Sequence, residues 1–288
     1  MSIQVKNLTH IYSEGMPYET LALDDISFEI PDGSIAGIIG HTGSGKSTLI
    51  QHLNGLLRPK SGSIIVDGTD ITDPEVKLRD IRQKVGLVFQ YPEYQLFEET
   101  VEKDVGFGPL NLGLSEDEVA ERVKEALELV GLSFDEIGQR SPFDLSGGQK
   151  RRVAIAGVIA MKPRVLILDE PTAGLDPKSH KDILRLVRNF HRQEKNTIIL
   201  VSHNMGDIAS MSDTVLVINK GRLAASGAPV QVFSQTDLLR SIGLELPPAA
   251  GFMEKLRVRG VPVSDSALTI DEAEREIYNW IGSKKTIC

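Results

Sequence analysis

The run Gly40-His41-Thr42-Gly43-Ser44-Gly45-Lys46-Ser47-Thr48 constrains this chain more than any other stretch. It has the form GxxxxGK[ST]. The apolar run Ile35–Ile39 precedes it, and a helical stretch over 48–57 follows and stops before Pro59. A buried strand, a glycine-rich loop and a helix in this order wrap a phosphate chain. The glycines let backbone N–H groups converge, and the helix start adds its positive end. Lys46 brings a point charge to the terminal phosphates, and Ser47 offers a hydroxyl to Mg²⁺. A loop of this kind belongs to an α/β fold whose parallel strands end at a ligand crevice.

A second apolar run, Val165-Leu166-Ile167-Leu168, has no polar break and reads as a central parallel strand. It ends in Asp169-Glu170. Two carboxylates at a strand end often do no more than begin a loop. Beside a phosphate loop, Asp169 is placed to hold Mg²⁺ through water, because that ion keeps much of its hydration shell. Glu170 is then placed as the base that polarises an attacking water. A third stretch, Leu145-Ser146-Gly147-Gly148-Gln149, puts a hydroxyl and two exposed glycine N–H groups at a helix start, which makes a second anion cradle. The Lys150-Arg151-Arg152 run behind it reads as the exposed first turns of that helix rather than as a nucleic-acid patch.

Between these motifs the chain alternates. Residues 1–39 are β-rich: Ile3-Gln4-Val5 and Ile26-Ser27-Phe28-Glu29-Ile30 alternate apolar and polar, and Pro31-Asp32-Gly33 is a turn. Further strands are expected over 63–66, 85–89, 197–201 and 214–218. Residues from about 91 to 160 form a helical insert. Within it Ser115-Glu116-Asp117-Glu118 is a capping box, Val119, Val123, Leu127 and Val130 share one helix face, and Gly131 ends the helix. Ile183, Leu184, Val187 and Phe190 form another helix face. The expected fold is a mostly parallel core sheet covered by helices, with an antiparallel β subdomain and a helical subdomain. Residues 1–231 form the nucleotide-binding domain. Residues 232–288 read as an appended helical region, with Pro247-Pro248 as a break. A second capping box there, Thr269-Ile270-Asp271-Glu272, opens a helix with Ala273, Ile277 and Ile281 on one face.

Charge narrows the partners. Forty acidic against 32 basic residues leave a net charge of −8, which disfavours nucleic acid and charge-driven docking on anionic lipid. No apolar run is long enough to span a bilayer, and Met1 to His10 lacks a signal-peptide core. The lone cysteine, Cys288, permits no intrachain disulfide. The chain reads as cytoplasmic, with any membrane attachment made through partners.

In order and spacing the motifs resemble those of ATP-binding-cassette (ABC) ATPases over about residues 1–230. The resemblance implies a P-loop NTPase fold that binds ATP with His41 to Thr48 and uses Mg²⁺. It implies that Ser146, Gly147, Gly148 and Gln149 cap the γ-phosphate of ATP held by the other subunit of a dimer, so that turnover needs a pair. Gln90 resembles the Q-loop glutamine, which reaches Mg²⁺ and the attacking water. Ala173-Gly174-Leu175-Asp176 resembles the D-loop, and residues 179–192 the helix after it. His203 resembles the switch histidine at the γ-phosphate, and Tyr12 the aromatic that stacks on adenine.

The stretch Gln90-Tyr91-Pro92-Glu93-Tyr94-Gln95-Leu96-Phe97, followed by Thr100-Val101, Asp104-Val105 and Phe107-Gly108-Pro109, is similar to a narrower group. So are Gln51-His52-Leu53-Asn54-Gly55-Leu56 and Gln149 to Gly157. The group is the energy-coupling-factor (ECF), or CbiO, ATPases, and the details resemble their A′ type. This implies a heterodimer with a related A-type ATPase, although pairing with an identical copy stays open. It also implies docking on a transmembrane T subunit, an S subunit that binds a vitamin or metal ion, and a peripheral place on the cytoplasmic membrane face. The C-terminal region would aid pairing of the ATPases. The acidic residues Glu98, Glu99, Glu102 and Asp104 would receive arginines of the T subunit's coupling helices. A conventional ABC transporter ATPase shares every catalytic motif and remains an alternative. A DNA- or ribosome-acting cassette fits less well, because Gln90 and Leu145 lie too close for a long coiled coil and only one cassette is present. A nucleotide-binding regulator without turnover is disfavoured by the joint presence of Lys46, Asp169, Glu170 and His203.

Overall fold

The computed structural model describes residues 2–285, with side chains through residue 282, so Cys288 lies outside the described residues. The chain opens with β1 (Ile3–Tyr12) and β2 (Thr20–Ile30), an antiparallel pair. Ile3, Val5 and Leu8 of the first bury with Ile26 and Ile30 of the second. A fully buried β3 (Ile35–Ile39) then delivers the phosphate loop to α1 (Lys46–Leu53). That helix ends earlier than 57, because Gly55 turns the chain at φ +70°. β4 (Ser61–Val66) and β5 (Thr69–Asp70) return to the first pair, giving a four-stranded antiparallel sheet ordered β2-β1-β4-β5.

α2 (Leu78–Lys84) leads into β6 (Val85–Val88). The helical segment follows as α3 (Val101–Asn111), α4 (Glu116–Leu129), the short α5 (Phe134–Ile137) and α6 (Gly147–Ile159). Ser115 and Glu118 form the reciprocal capping box of α4. Val123, Leu127 and Val130 bury toward α3 and α6, Val119 packs at their margin, and Gly131 ends the run at φ +70°.

Strand and helix then alternate through β7 (Val165–Asp169), α7 (Pro177–Glu194), β8 (Thr197–Val201), α8 (Met205–Met211) and β9 (Thr214–Asn219), closing with β10 (Arg222–Gly227). The second sheet has six strands in the order β10-β9-β3-β8-β7-β6. Its pairings from β9 to β6 are all parallel; only β10 is antiparallel. Unbroken apolar strands buried on both faces are what such a sheet requires. Register places the site: Ile38 of β3 and Asp169 of β7 both lie opposite Val201 of β8. The phosphate loop, the two carboxylates and His203 therefore leave the sheet at one level of its C-terminal edge.

The last segment contains α9 (Pro229–Phe233), α10 (Thr236–Ser241), α11 (Pro248–Val258) and α12 (Ile270–Lys285). Val232, Phe233, Leu239 and Leu244 join the main core, so the boundary expected at 231 falls inside α9. Farther on, Ala249, Met253, Val263, Ala267 and Ala273 form a small core of their own. Pro248 takes the first position of α11, where its missing N–H costs nothing, so the proline pair opens a helix as well as breaking the chain. The Thr269–Glu272 capping box forms, with Glu272 N donating to Thr269 Oγ1 at 3.3 Å. Of the expected α12 face, Ala273 is buried and Ile277 packs on the small core, but Ile281 is exposed, because α12 runs past the end of that core.

Candidate nucleotide site

The phosphate loop closes on itself through its lysine. Lys46 Nζ donates to Gly40 O at 2.7 Å and His41 O at 2.9 Å, filling the hollow that the loop encircles. Gly45 turns at φ +108°, and a Cβ there would stand 2.7 Å from Ala22 O, so only glycine fits. Ser47 Oγ reaches across to Asp169 Oδ2 at 3.4 Å. Ser44 Oγ is buried without a hydrogen-bond partner.

Asp169 and Glu170 are both buried at the end of β7. Glu170 adopts φ +50°, a left-handed conformation costly for a side chain of its size, and its N–H is held by Val201 O at 2.9 Å. Its Oε2 lies 2.8 Å from His203 Nδ1, yet it is buried and no donor is aimed at it. Burial and then the neighbouring Glu170 push the Asp169 carboxyl above its usual range, against Lys46 and Ser47. Burial pulls the Lys46 ammonium down, while Glu170 and Asp169 pull it up. Two carboxylates and one ammonium thus share the floor of one pocket, and the excess negative charge attracts a further cation. A serine hydroxyl, a carboxylate and the Gln90 amide are hard oxygen donors that suit Mg²⁺. Among the described residues no cluster of three or more His, Cys, Asp or Glu side chains could hold a metal ion.

Gln90 and His203 line the same open cavity, whose volume of about 960 Å³ accommodates a nucleotide. Tyr12 stands at its rim, 39% exposed, with its hydroxyl 3.2 Å from Thr48 Oγ1. Two features of the pocket had no sequence signal. His41 Nε2 hydrogen-bonds Ile242 O, which brings Gly243 to Leu246 of the C-terminal segment against the phosphate loop. Behind Tyr12, His52 Nδ1 donates to Thr48 O at 2.8 Å, and its Nε2 meets His10 Nδ1 at 3.2 Å. Burial lowers the His52 pKa to about 4.

Residues 146–149 do not line this cavity. Ser146 caps α6, with Gln149 N donating to Ser146 Oγ at 3.3 Å and Ser146 N to Gln149 Oε1 at 3.0 Å. A Cβ on Gly147 would meet nothing within 4 Å, and one on Gly148 only Ser179 Oγ at 3.7 Å. Neither glycine has a positive φ, so neither backbone nor packing within this chain requires one. The expectation that Lys150-Arg151-Arg152 is exposed is corrected. Lys150 and Arg152 are half-buried, and Arg151 is 2% exposed because its guanidinium pairs with Glu93.

A P-loop sheet, paired strand-end carboxylates and an outward-facing serine-glycine helix start define an ABC-type ATPase, and residues 23–173 match the family model described as ABC transporter. The chain belongs to the ABC transporter family and, within it, to the energy-coupling-factor transporter ATP-binding proteins. It binds and hydrolyses ATP. The relative named "Energy-coupling factor transporter ATP-binding protein EcfA2" in Clostridium tetani is 54% identical, covering 100% of both chains. Its namesake in Caldanaerobacter subterraneus subsp. tengcongensis is 57% identical, again over 100% of both. Among solved structures, cbiO1 from Clostridium perfringens, part of the ABC transporter complex cbiONQ, is 40% identical with a TM-score of 0.73, covering 88% of this chain and 98% of that one. A dimeric ATP-binding cassette in a post-hydrolysis state with ADP and Pi is 28% identical with a TM-score of 0.70, covering 79% of this chain and 98% of that one.

Proposed function

We propose that this chain is the A′-type ATPase of an ECF importer. It pairs with a related A-type ATPase and drives a T subunit that serves vitamin- or micronutrient-binding S subunits from the cytoplasmic face of the membrane. One observation carries the pairing: Gly147 faces open space and Gly148 lies beside it against only Ser179 Oγ, both away from the chain's own phosphate pocket. They are shaped for a phosphate that another subunit brings. Among the described residues no helix is long and apolar enough to cross a membrane, which fits a peripheral subunit held by others. The C-terminal region, expected over 232–288, supports the pairing in this reading, and within it residues 249–273 carry a small core of their own.

In hydrolysis Lys46 neutralises the terminal phosphates as negative charge builds there. Ser47, Asp169 and Gln90 would hold Mg²⁺, which supplies further charge neutralisation at the phosphate oxygens. Glu170 accepts the proton of the attacking water, and His203 orients the reacting γ-phosphate. Tyr12 stacks on adenine, and His41 to Thr48 enclose the phosphates. Loss of the γ-phosphate then releases the two subunits from each other.

For the T subunit we propose the groove beneath the Q-loop segment, where exposed Phe97 and Phe107 meet edge to face at 4.9 Å. Asp104 Oδ2 is spent on the N–H groups of Phe97 and Glu98, each at 2.9 Å, so this carboxylate shapes the groove rather than binding a partner. Glu102 is bonded to Gln139. Glu99 pairs with Lys103 at 2.8 Å, so of the four carboxylates Glu98 is the proposed acceptor for an arginine of a coupling helix.

The test is a mild-detergent pull-down of the tagged chain from its own membranes, with mass spectrometry of everything retained. A related ATPase, one T-type protein and several small membrane proteins support the reading. A pair of large permeases with an extracytoplasmic binding protein makes it a conventional transporter. Ribosomal or DNA-bound partners without a membrane protein overturn it.

A further inference from the structure

Arg151 is almost fully buried on α6, and every part of its guanidinium is engaged. Its Nε donates to Glu93 Oε2 at 2.9 Å and its Nη2 to Glu93 Oε1 at 2.8 Å, a parallel two-bond pair. Its Nη1 donates to Pro171 O at 3.2 Å and Ala173 O at 2.7 Å. The ring of Tyr91 lies 5.8 Å from its Cζ. These partners come from separate segments. Tyr91 and Glu93 follow Gln90, Pro171 and Ala173 follow Glu170, and Arg151 itself belongs to the helix that Ser146 caps.

The two segments share a second peculiarity. Tyr91 holds φ +55° and Glu170 holds φ +50°, both in the left-handed region that side chains avoid. Such residues persist only where their surroundings over-determine them. Arg151 grips the chain just beyond each of them, through Glu93 on one side and through the carbonyls of Pro171 and Ala173 on the other. Only arginine offers donors in a fixed planar fork that can meet a carboxylate on one side and carbonyls on the other. Burial raises the Glu93 carboxyl's affinity for protons, but the Arg151 bonds and charge together with a backbone N–H outweigh it, and the net direction is down. A buried ion pair of this kind adds little net stability over an apolar pair of similar volume. What it supplies is direction.

We propose that Arg151 and Glu93 form a positioning clamp for hydrolysis. The clamp holds the backbone behind Gln90 and the backbone beyond Glu170 in one register, so that both side chains address the same γ-phosphate. Displacement of the Gln90 segment is thereby passed to the strand end that carries Glu170. The clamp rests on the roles proposed above for Gln90 and Glu170, and the experiment separates the two ideas.

Arg151→Met, Glu93→Met, the double variant and Arg151→Lys are compared in the assembly purified through a tag on this chain. The readouts are kcat and KM for ATP, thermal midpoint and the set of co-purifying proteins. Each single Met variant is expected to lower kcat by about 10²-fold, the scale of a slight misplacement of reacting groups, with KM changed by no more than about twofold. The double variant is expected to be no slower than the worse single, because the clamp acts as a unit. Its thermal midpoint is expected to fall less than that of either single variant, because no lone buried charge is left, although the Pro171 and Ala173 carbonyls lose their donor. Arg151→Lys keeps charge and burial but loses the fork, and is expected to recover only part of kcat. Parental kcat in the double or the lysine variant overturns the clamp. So does a loss of kcat that follows the thermal midpoint additively through both sites. Normal turnover in a parallel Glu170→Gln variant would instead remove the residue roles on which the clamp rests.

Discussion

His203 Nδ1 stands 2.8 Å from Glu170 Oε2, and that oxygen is buried with no donor aimed at it. The carboxylate is held by proximity to an exposed imidazole rather than by a directed bond, so it keeps acceptor capacity for a water. Glu170→Gln keeps the shape and removes the base. Hydrolysis should fall by about 10²- to 10⁴-fold while ATP binding persists, and a long-lived ATP-loaded pair should accumulate. Steady-state ATPase assays and size-exclusion chromatography with ATP measure both; undiminished turnover sinks the role of Glu170.

Gly147→Asp should have opposite effects on the chain and on the assembly. The new side chain enters open space at the start of α6, where a negative charge favours the helix dipole by roughly 0.3–1 kcal/mol. The isolated chain should keep its thermal midpoint and its ATP affinity. ATPase activity of the pair should collapse, because a carboxylate now faces the γ-phosphate. Retained turnover would mean that the signature does not meet phosphate.

Tyr12→Leu removes a ring and, with it, the hydroxyl contact to Thr48 Oγ1 at 3.2 Å. Stacking of a base on an aromatic contributes roughly 1–3 kcal/mol, so KM for ATP should rise by about 5- to 150-fold with kcat nearly unchanged. Tyr12→Trp should restore binding. Equal KM in all three proteins would show that Tyr12 is only part of the sheet.

His52 couples stability to acid. Its pKa falls to about 4 in the folded chain from an ordinary value of 6.5, so the unfolded chain binds the extra proton first as pH drops. The stabilisation is complete above pH 6.5 and is lost progressively as pH falls through about 4. The loss should reach at most about 3 kcal/mol. Thermal midpoints from pH 7.5 down to pH 4 measure it, and His52→Gln should flatten this part of the profile. An equally steep profile in the variant would assign the acid sensitivity to other groups.

Much of the core was legible because its signals are local. The glycine spacing of residues 40–48, the unbroken apolar run before Asp169, and the capping boxes at 115–118 and 269–272 each specify their own conformation. β10 was not legible: its residues are half-exposed at a sheet edge and carry no apolar period. The burial of Arg151 was not legible either, because a basic triplet looks solvent-facing until Glu93, distant in sequence, is brought against it. The approach of Gly243 to His41 and the edge-on contact of His10 with His52 depend equally on tertiary packing. Within the candidate site, the residues proposed to act on phosphate carry local motifs, whereas those that pack behind them do not.

The outward-facing glycines of α6 have a genetic consequence. If two unlike chains form the pair, each nucleotide is served by the loop of one chain and the signature of the other. A lesion at Lys46 then silences the ATP this chain carries, whereas a lesion at Ser146 silences the ATP its neighbour carries. Placed together in this chain, the two lesions disable both nucleotides. Divided between chains, Lys46 here and the signature there, they fall on one nucleotide and spare the other. Inheritance of function in such an assembly follows composite sites rather than polypeptides.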